Sequence, residues 1–198
     1  MNGRKLTYIA AGSAFAVAAY FGWKLTSRTA YESAAYSVVQ ADGRFEVREY
    51  PDLLMVATEM QFASRGDDGS FMRLFGYISG ANEGNQKISM TTPVFMDRQT
   101  EDQSAQMGFV LPEKMSKASV PRPERDDVEI LTRRGGQFAV IRFSGRLNSG
   151  TLATAEQELL EWMSRQGYVA NGNAESAGYD PPWTPGPFRR NELLIRLQ

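Results

Sequence analysis

The 198-residue sequence contains no cysteine and no histidine. Without cysteine there are no disulfides, thiolate nucleophiles, iron–sulfur clusters or zinc–thiolate sites. Without histidine the commonest metal ligand and the usual general base are missing. Ser-His-Asp and Cys-His mechanisms are therefore excluded. We predict no metal site and no catalytic residue, because no spacing of Glu, Asp, Tyr or Lys singles out an acid–base pair.

The formal net charge of −1 hides an asymmetry along the chain. Residues 1–28 carry four basic side chains, at positions 4, 5, 24 and 28, and no acidic one. The remainder holds 22 − 4 = 18 basic against 23 acidic side chains, a balance of −5. Binding to nucleic acid needs a clustered basic surface, so nucleic acid is not predicted as a partner.

The first 28 residues are predicted to be a membrane anchor or a signal segment. A largely apolar run at residues 6–25 is about as long as the roughly 20 residues that cross a bilayer core. The uncleaved anchor is the preferred interpretation, with the following domain outside the cytoplasm, in the periplasm. Cleavage near residues 33–35, where small side chains cluster, would instead give a secreted protein.

The remaining residues are predicted to form a linker, 29–43, and one α+β domain, 44–198. Its first half contains two strand segments at 45–60 broken at residues 50–52, a helix from Ser70 to Gly80, and two further strands. The second half repeats this order, with a break at 134–136, a helix at 151–167 and a closing strand. Two βαββ-type repeats predict one barrel or curved sheet covered by two helices. The preferred architecture is a distorted antiparallel β-barrel with two flanking helices.

The first helix has one apolar stripe. Phe71, Leu74, Phe75 and Ile78 follow helical spacing and are expected in the core. Arg73 and Tyr77 then lie on the opposite face, where a ligand could bind. In the second helix Leu152, Ala155, Leu159, Trp162 and Met163 are expected to form the buried face, a set defined by the same spacing.

A proline-rich segment precedes the last strand. Prolines at 181, 182, 185 and 187 exclude helix and central strand and predict an ordered extended loop. Trp183 and Phe188 are expected to cover apolar surface there. Arg189 and Arg190 either hold this loop to the end of the barrel or bind a ligand.

Three stretches together resemble the SOUL haem-binding family: FEVREYPDLLMVATE at 45–59, RLFGYISGANEGNQKISMTTPVFM at 73–96 and GYDPPWTPGPFRRNELLI at 178–195. The resemblance spans the chain from residue 36 to its end and implies a pseudo-twofold barrel that binds a tetrapyrrole in an apolar cleft beside the first helix. The sequence departs from the family pattern by an additional Gly186 between two prolines and by the lack of histidine.

The resemblance implies haem or a related porphyrin as the cofactor and partner, bound without His or Cys ligation. The side chains that could ligate its iron are one phenol and three thioethers, namely Tyr77, Met72, Met90 and Met96. The cations that could pair with its propionates are Arg73, Lys87, Arg189 and Arg190. Apolar contact alone could also hold the porphyrin, which would admit a metal-free macrocycle.

The preferred function is non-covalent tetrapyrrole binding for storage, buffering or delivery by a membrane-tethered domain, rather than an enzymatic activity. Three alternatives stay open. The domain could be a general carrier of apolar small molecules or an effector-binding module. It could be an enzyme acting on a tetrapyrrole or a small ester, or a scaffold for protein partners at a membrane.

Overall fold

The computed structural model describes residues 31–61, 68–97, 104–181 and 184–198. The predicted anchor at 1–28 and Trp183 lie outside these ranges. Within them, no helix combines the length and the apolar character needed to cross a membrane. Residues 32–198 form one compact unit.

The described residues form eleven strands and two α-helices. The first half comprises β1 (Glu32–Ser33), β2 (Ser37–Asp42), β3 (Phe45–Tyr50), β4 (Leu53–Glu59), α1 (Ser70–Ser79), β5 (Thr91–Thr92), β6 (Val94–Asp97) and β7 (Gln106–Val110). The second half comprises β8 (Glu129–Arg133), β9 (Gly136–Phe143), α2 (Ser149–Gln166), β10 (Glu175–Gly178) and β11 (Asn191–Arg196). A single 3₁₀ turn, Gly186–Phe188, precedes β11.

The predicted repeat is visible in the strand order of the main sheet. That order is β2-β3-β9-β11-β10-β6-β7-β4-β8, and its neighbouring strands are antiparallel. If β3, β4, β6 and β7 are exchanged with β8, β9, β10 and β11, the eight-strand order from β3 to β8 reads the same backwards. The two halves of the chain therefore occupy equivalent places, and each contributes its first strand to the edge of the other.

The predicted α+β class, with a curled antiparallel sheet and two helices, is confirmed, but the sheet is a half-barrel and not a closed barrel. Closure needs a pairing between the two end strands, and in the described part of the chain β2 and β8 lie at opposite ends. Sequence reasoning assigned residues 29–43 to a linker. The structure forms β1 and β2 there, and β1 pairs in parallel with β5 in a separate two-stranded sheet.

The two predicted strand breaks meet each other at one end of the sheet. The N–H of Gly135 donates to the carboxylate of Asp52 at 2.8 Å. A Cβ atom on Gly135 would lie 2.4 Å from the carbonyl oxygen of Tyr50, so no larger residue fits without a backbone shift. Gly135 is thus explained by its contact with the break of the first repeat, whereas Gly136 is explained by its positive φ of 128°.

Both helices cover the same face of the sheet. All five apolar residues predicted for the inner face of α2 are buried, against β9 and β11. α1 packs on β4 and β7 but is rotated from its predicted orientation. Leu74, Tyr77 and Ile78 are buried, whereas Phe75, predicted for the core, is 43% exposed. Tyr77 can face inwards because its hydroxyl finds a partner there, which the apolar periodicity does not reveal.

The opposite, concave face of the sheet forms a second interior, over which the described part of the chain places no helix. Its apolar part includes Tyr50, Met55, Phe95, Phe138 and Leu194, all buried. Charged side chains alternate with apolar ones on the same strands and also point into this concave face. The sheet therefore separates an apolar interior under the helices from a mixed, partly charged interior.

Candidate functional site

The outer face of α1 is the most apolar exposed helix face in the described structure. Met72 is 63% exposed and Phe75 is 43% exposed. With Gly76 and Ser79 they follow the spacing i, i+3, i+4, i+7, which places all four on one side of the helix. The ring of Phe75 stacks on that of Phe71 at 6.2 Å between centroids and 12° between planes. Two stacked rings fix the position of the exposed aromatic surface.

Gly76 leaves this face flat in its middle. A Cβ atom built on Gly76 would meet no atom within 4 Å, so close packing does not require the glycine. Gly76 is also not among the glycines with positive φ. A glycine inside a helix costs about 1 kcal/mol relative to alanine. Its only structural effect here is an open approach to the helix backbone between Met72 and Phe75. Sequence reasoning did not single out Gly76, although an unforced glycine in an amphipathic helix was the available signal.

The two predicted site residues beside this face already have protein partners. Tyr77 donates its hydroxyl to the carbonyl of Pro121 at 2.8 Å, and burial raises the pKa of Tyr77 to about 12. Deprotonation to a tyrosinate ligand is therefore unfavourable at neutral pH. Arg73 donates to the hydroxyl of Thr58 at 3.0 Å and to the carbonyl of Asp68 at 3.0 Å, so it connects β4 to the start of α1.

The predicted residues from the end of α1 through β6 are divided between core and surface. Met90 and Met96 are half-buried in the apolar cluster beneath α1. Lys87 is exposed and has no hydrogen bond or ion pair to any residue that the structure describes. It lies at the C-terminal end of α1, because the N–H of the next residue, Ile88, donates to the carbonyl of Ile78 at 2.8 Å.

The two predicted arginines of the closing loop bind the loop itself. The Nε of Arg189 donates to the carbonyl of Thr184 at 2.8 Å. The guanidinium of Arg190 lies 3.8 Å from the centre of the Tyr179 ring, and its backbone N–H donates to the carboxylate of Asp180. These contacts agree with a structural role. The expectation that Phe188 covers apolar surface is wrong, because its position in the 3₁₀ turn leaves it 78% exposed.

A buried ionic network lies on the concave face and was not predicted. Arg48 is 1% exposed and donates two hydrogen bonds, of 2.8 and 2.9 Å, to the carboxylate of Glu192. It also donates to Glu46 at 2.6 Å and to the hydroxyl of Tyr50 at 3.1 Å. The hydroxyl of Tyr179 donates to Glu192 at 2.6 Å, and burial followed by the charge of Glu192 raises the pKa of Tyr179 strongly. A strand with alternating polar residues ordinarily faces water on that side, which is why sequence reasoning missed this network.

A cavity of about 220 Å³ opens on the same face, further along the sheet. Its lining residues are Met55, Ala57, Phe95, Asp97, Gln106, Gly108, Leu131, Thr132, Arg133 and Glu175. Pockets that enclose drug-sized ligands have volumes of about 300–1,000 Å³. The cavity is therefore too small to enclose a tetrapyrrole, and the outer face of α1 is the better candidate for a large planar ligand.

The palindromic strand order and the two helices on one face define the class of proteins built from paired βαββ units around a curled sheet. An uncharacterized conserved protein from Listeria innocua shares this fold, with a TM-score of 0.59, 9% sequence identity and coverage of 89% of this chain and 98% of its own. The C-terminal domain of EcmrR has a TM-score of 0.55 and 14% identity, with coverage of 82% of this chain and 98% of its own. At such identities the likeness concerns the fold alone.

Sequence comparison then gives the family. The model of the SOUL heme-binding protein family matches residues 31–196, so the chain belongs to this family, as its motifs predicted. It is similar to heme-binding protein 1 of Xenopus tropicalis, with 26% identity over 171 residues that cover 82% of this chain and 88% of the relative.

Proposed function

We propose that this protein binds haem or a related tetrapyrrole non-covalently on the outer face of α1, for storage, buffering or delivery. Membership of the SOUL family and the similarity to heme-binding protein 1 support the ligand class. The main support for this binding location is the flat, exposed strip formed by Met72, Phe75 and Gly76, in which the glycine has no packing role.

The residues of this strip fit a tetrapyrrole. A bound haem supplies a flat apolar macrocycle, an iron with free axial positions and two propionates. Phe75, held by its stack on Phe71, offers an apolar surface to the macrocycle. The thioether of Met72 is the exposed sulfur on α1, and methionine is an established axial ligand in haem proteins. Gly76 allows the ring to approach the helix backbone.

Lys87 is the cation best placed for a propionate. Ile78 lies six positions after Met72, which corresponds to about 9 Å along the helix. Lys87 follows at that end of α1, exposed and without a carboxylate partner in the described part of the chain. Of the other predicted site residues, Arg73, Tyr77, Met90 and Met96 hold the elements around α1, whereas Arg189 and Arg190 hold the closing loop. Binding that rests on one thioether and one flexible lysine is expected to be modest in affinity.

Gly76→Leu is the sharpest test of the location. It places a side chain on the flat strip and also replaces a poor helix former, a gain of up to about 0.8 kcal/mol in helix propensity. We therefore expect a higher melting temperature together with at least tenfold weaker haem binding, measured by titration of the full chain and the shift of the Soret band. Ala153→Leu adds a comparable exposed leucine to α2 and should leave the titration unchanged.

A second pair of variants tests the apolar contacts with matched exposure. Phe75→Ala should weaken haem binding several-fold, whereas Leu160→Ala, which removes an equally exposed side chain from α2, should not. Met72→Ala should change the position of the Soret band as well as the affinity, because it removes the proposed ligand. If Gly76→Leu binds haem as tightly as the wild type does, the site is not on this face.

We also propose that residues 6–25 retain the protein at a membrane, with the domain outside the cytoplasm. The support is the length and apolar composition of that run, flanked by basic residues. Mass measurement of the protein in the membrane fraction tests this directly: the intact chain is expected, and a mature chain beginning near residue 35 in the soluble fraction would contradict it.

A further inference from the structure

The concave cavity has a composition that tetrapyrrole binding on α1 does not use. Ala57 and Gly108 are directly paired on β4 and β7, and their small size opens the space. A Cβ atom on Gly108 would lie 2.2 Å from the terminal methyl of Met55. Only a glycine at position 108 therefore leaves room for this methyl group at the bottom of the cavity. Phe95 and Leu131 complete an apolar floor on the neighbouring strands. The cavity is therefore built by the sequence and is not a packing accident at a loop.

Two carboxylates stand opposite each other at the wall of this cavity. Asp97 on β6 is the direct cross-strand partner of Glu175 on β10. Like charges in that position destabilise a sheet. A fold that retains both carboxylates at this point gives up stability there, as binding sites often do.

Among the described residues that line the cavity, the one cation is bound to one of the two acids. Arg133 is nine-tenths buried and donates two hydrogen bonds to Glu175, of 2.8 and 2.7 Å. Its guanidinium also lies 4.5 Å from the centre of the Phe95 ring and 4.3 Å from that of Phe138. Its remaining nitrogen, Nη1, is buried without a hydrogen bond within the described residues. Arg133 is thus held by Glu175 and by aromatic rings, and it forms no hydrogen bond or ion pair with Asp97.

Asp97 is exposed at the mouth of the cavity and has no ion-pair partner within the described residues. It forms no hydrogen bond or ion pair with any residue in the described ranges. Removal of water by the surrounding protein, and then the charge of Glu175, raise the pKa of Asp97 to about 6, while Arg133 lowers it. The described lining residues carry two carboxylates against one guanidinium, a net charge of −1 beside an apolar floor.

We propose that this cavity binds a small organic monocation, an alkyl- or arylammonium, with its charged group at Asp97 and its apolar part on Met55, Phe95 and Leu131. A divalent metal fits less well, because no cluster of three or more potential metal ligands occurs among the described residues. The volume of about 220 Å³ selects a compact molecule. This site lies on the concave face, so its occupancy is independent of tetrapyrrole binding on α1.

The test is a titration of the full chain with 4-fluorobenzylammonium at pH 7.5, in which fluorine NMR detects binding. The neutral 4-fluorobenzyl alcohol, of nearly the same shape, serves as the comparison ligand. We expect saturable binding of the cation, with a Kd in the millimolar range or tighter, and at least fivefold weaker binding of the alcohol. Asp97→Asn should weaken cation binding about tenfold and leave the alcohol unaffected.

Asp126→Asn is the matched control, because Asp126 is exposed on the connection before β8 and should have no effect. Asp97→Asn removes a repulsion, so it should fold at least as stably as the wild type, which a thermal melt confirms. Equal binding of cation and alcohol would reduce the site to an apolar hollow and overturn the proposal. Unchanged cation binding by Asp97→Asn, or no saturation with the wild type, would do so as well.

Discussion

Removal of the Arg48 guanidinium, as in Arg48→Met, is predicted to be among the most destabilising single changes in the domain. Methionine keeps most of the apolar volume of the arginine stem, so the change mainly deletes charge and hydrogen bonds. Glu46 and Glu192 would then remain buried, at 7% and 2% exposure, without their principal cation. Breaking a buried ion pair in this way costs about 3–5 kcal/mol.

Two features of the network adjust this figure in opposite directions. The guanidinium of Arg48 lies 4.1 Å from the centre of the partly exposed Tyr36 ring, a contact whose loss adds about 0.5–1 kcal/mol. Glu192 would keep the hydroxyl of Tyr179, and Glu46 would keep Arg142 at 3.2 Å, which offsets part of the cost. We therefore expect a loss of about 4 kcal/mol and a fall in Tm of roughly 8–16 °C for a domain of this size.

Urea unfolding followed by circular dichroism measures this loss, and Arg125→Met provides the control. Arg125 forms an equally short two-bond pair with Asp127, at 2.7 Å for each bond, but at the exposed surface. Its replacement should hardly change stability, since solvent already screens that pair. The double variant Arg48→Met, Glu192→Leu should be more stable than Arg48→Met alone, because it removes a buried carboxylate that has lost its cation. If Arg48→Met and Arg125→Met cost the same, the argument from burial is refuted.

The remaining predictions concern groups near the two proposed sites. Raising the pKa of Asp97 from 3.8 to about 6 corresponds to about 3 kcal/mol, which solvent at the exposed rim reduces to roughly 1 kcal/mol. This penalty appears as pH rises from 4 to 6, and the charged groups around Asp97 are Glu175, Arg133 and, bound through Gln106, Glu129. Asp97→Asn should therefore be more stable than the wild type in urea at pH 7 and equally stable at pH 4. Equal stability of the two proteins at both pH values would contradict the prediction. Tyr77→Phe should lose about 1 kcal/mol of stability with its hydrogen bond and leave the Soret titration unchanged, whereas a lost Soret shift would restore Tyr77 as a ligand.

Prediction from the sequence was most successful where the spacing of apolar residues alone determines which side chains are buried. The buried face of α2 repeats at helical spacing from Leu152 to Met163, and each predicted residue is buried. The strand pairs around Pro51 and Gly135 were also predictable, because backbone breakers at equivalent places in both halves mark the same bend. The family motifs added the pseudo-twofold arrangement that the sheet order confirms.

The parts that escaped prediction depend on what surrounds each side chain in space. The orientation of α1 differs because Tyr77 replaces Phe75 in the core once Pro121 supplies a hydrogen-bond acceptor. Glu46 and Arg48 alternate with apolar residues as a solvated strand face does, yet curling of the sheet turns that face into an interior. Both errors come from partners far away in sequence, which local spacing does not contain.

The location of the bound macrocycle is the most direct test of the proposed function. The protein contains nine methionines, and carbon-13 labelling of their methyl groups gives NMR probes at both candidate sites. Titration with ferric haem should broaden the Met72 signal first, through the paramagnetic iron, at about one equivalent. The Met55 signal, from the concave cavity, should stay sharp. Broadening of Met55 with Met72 unaffected, or no saturable broadening of either signal, would contradict the account.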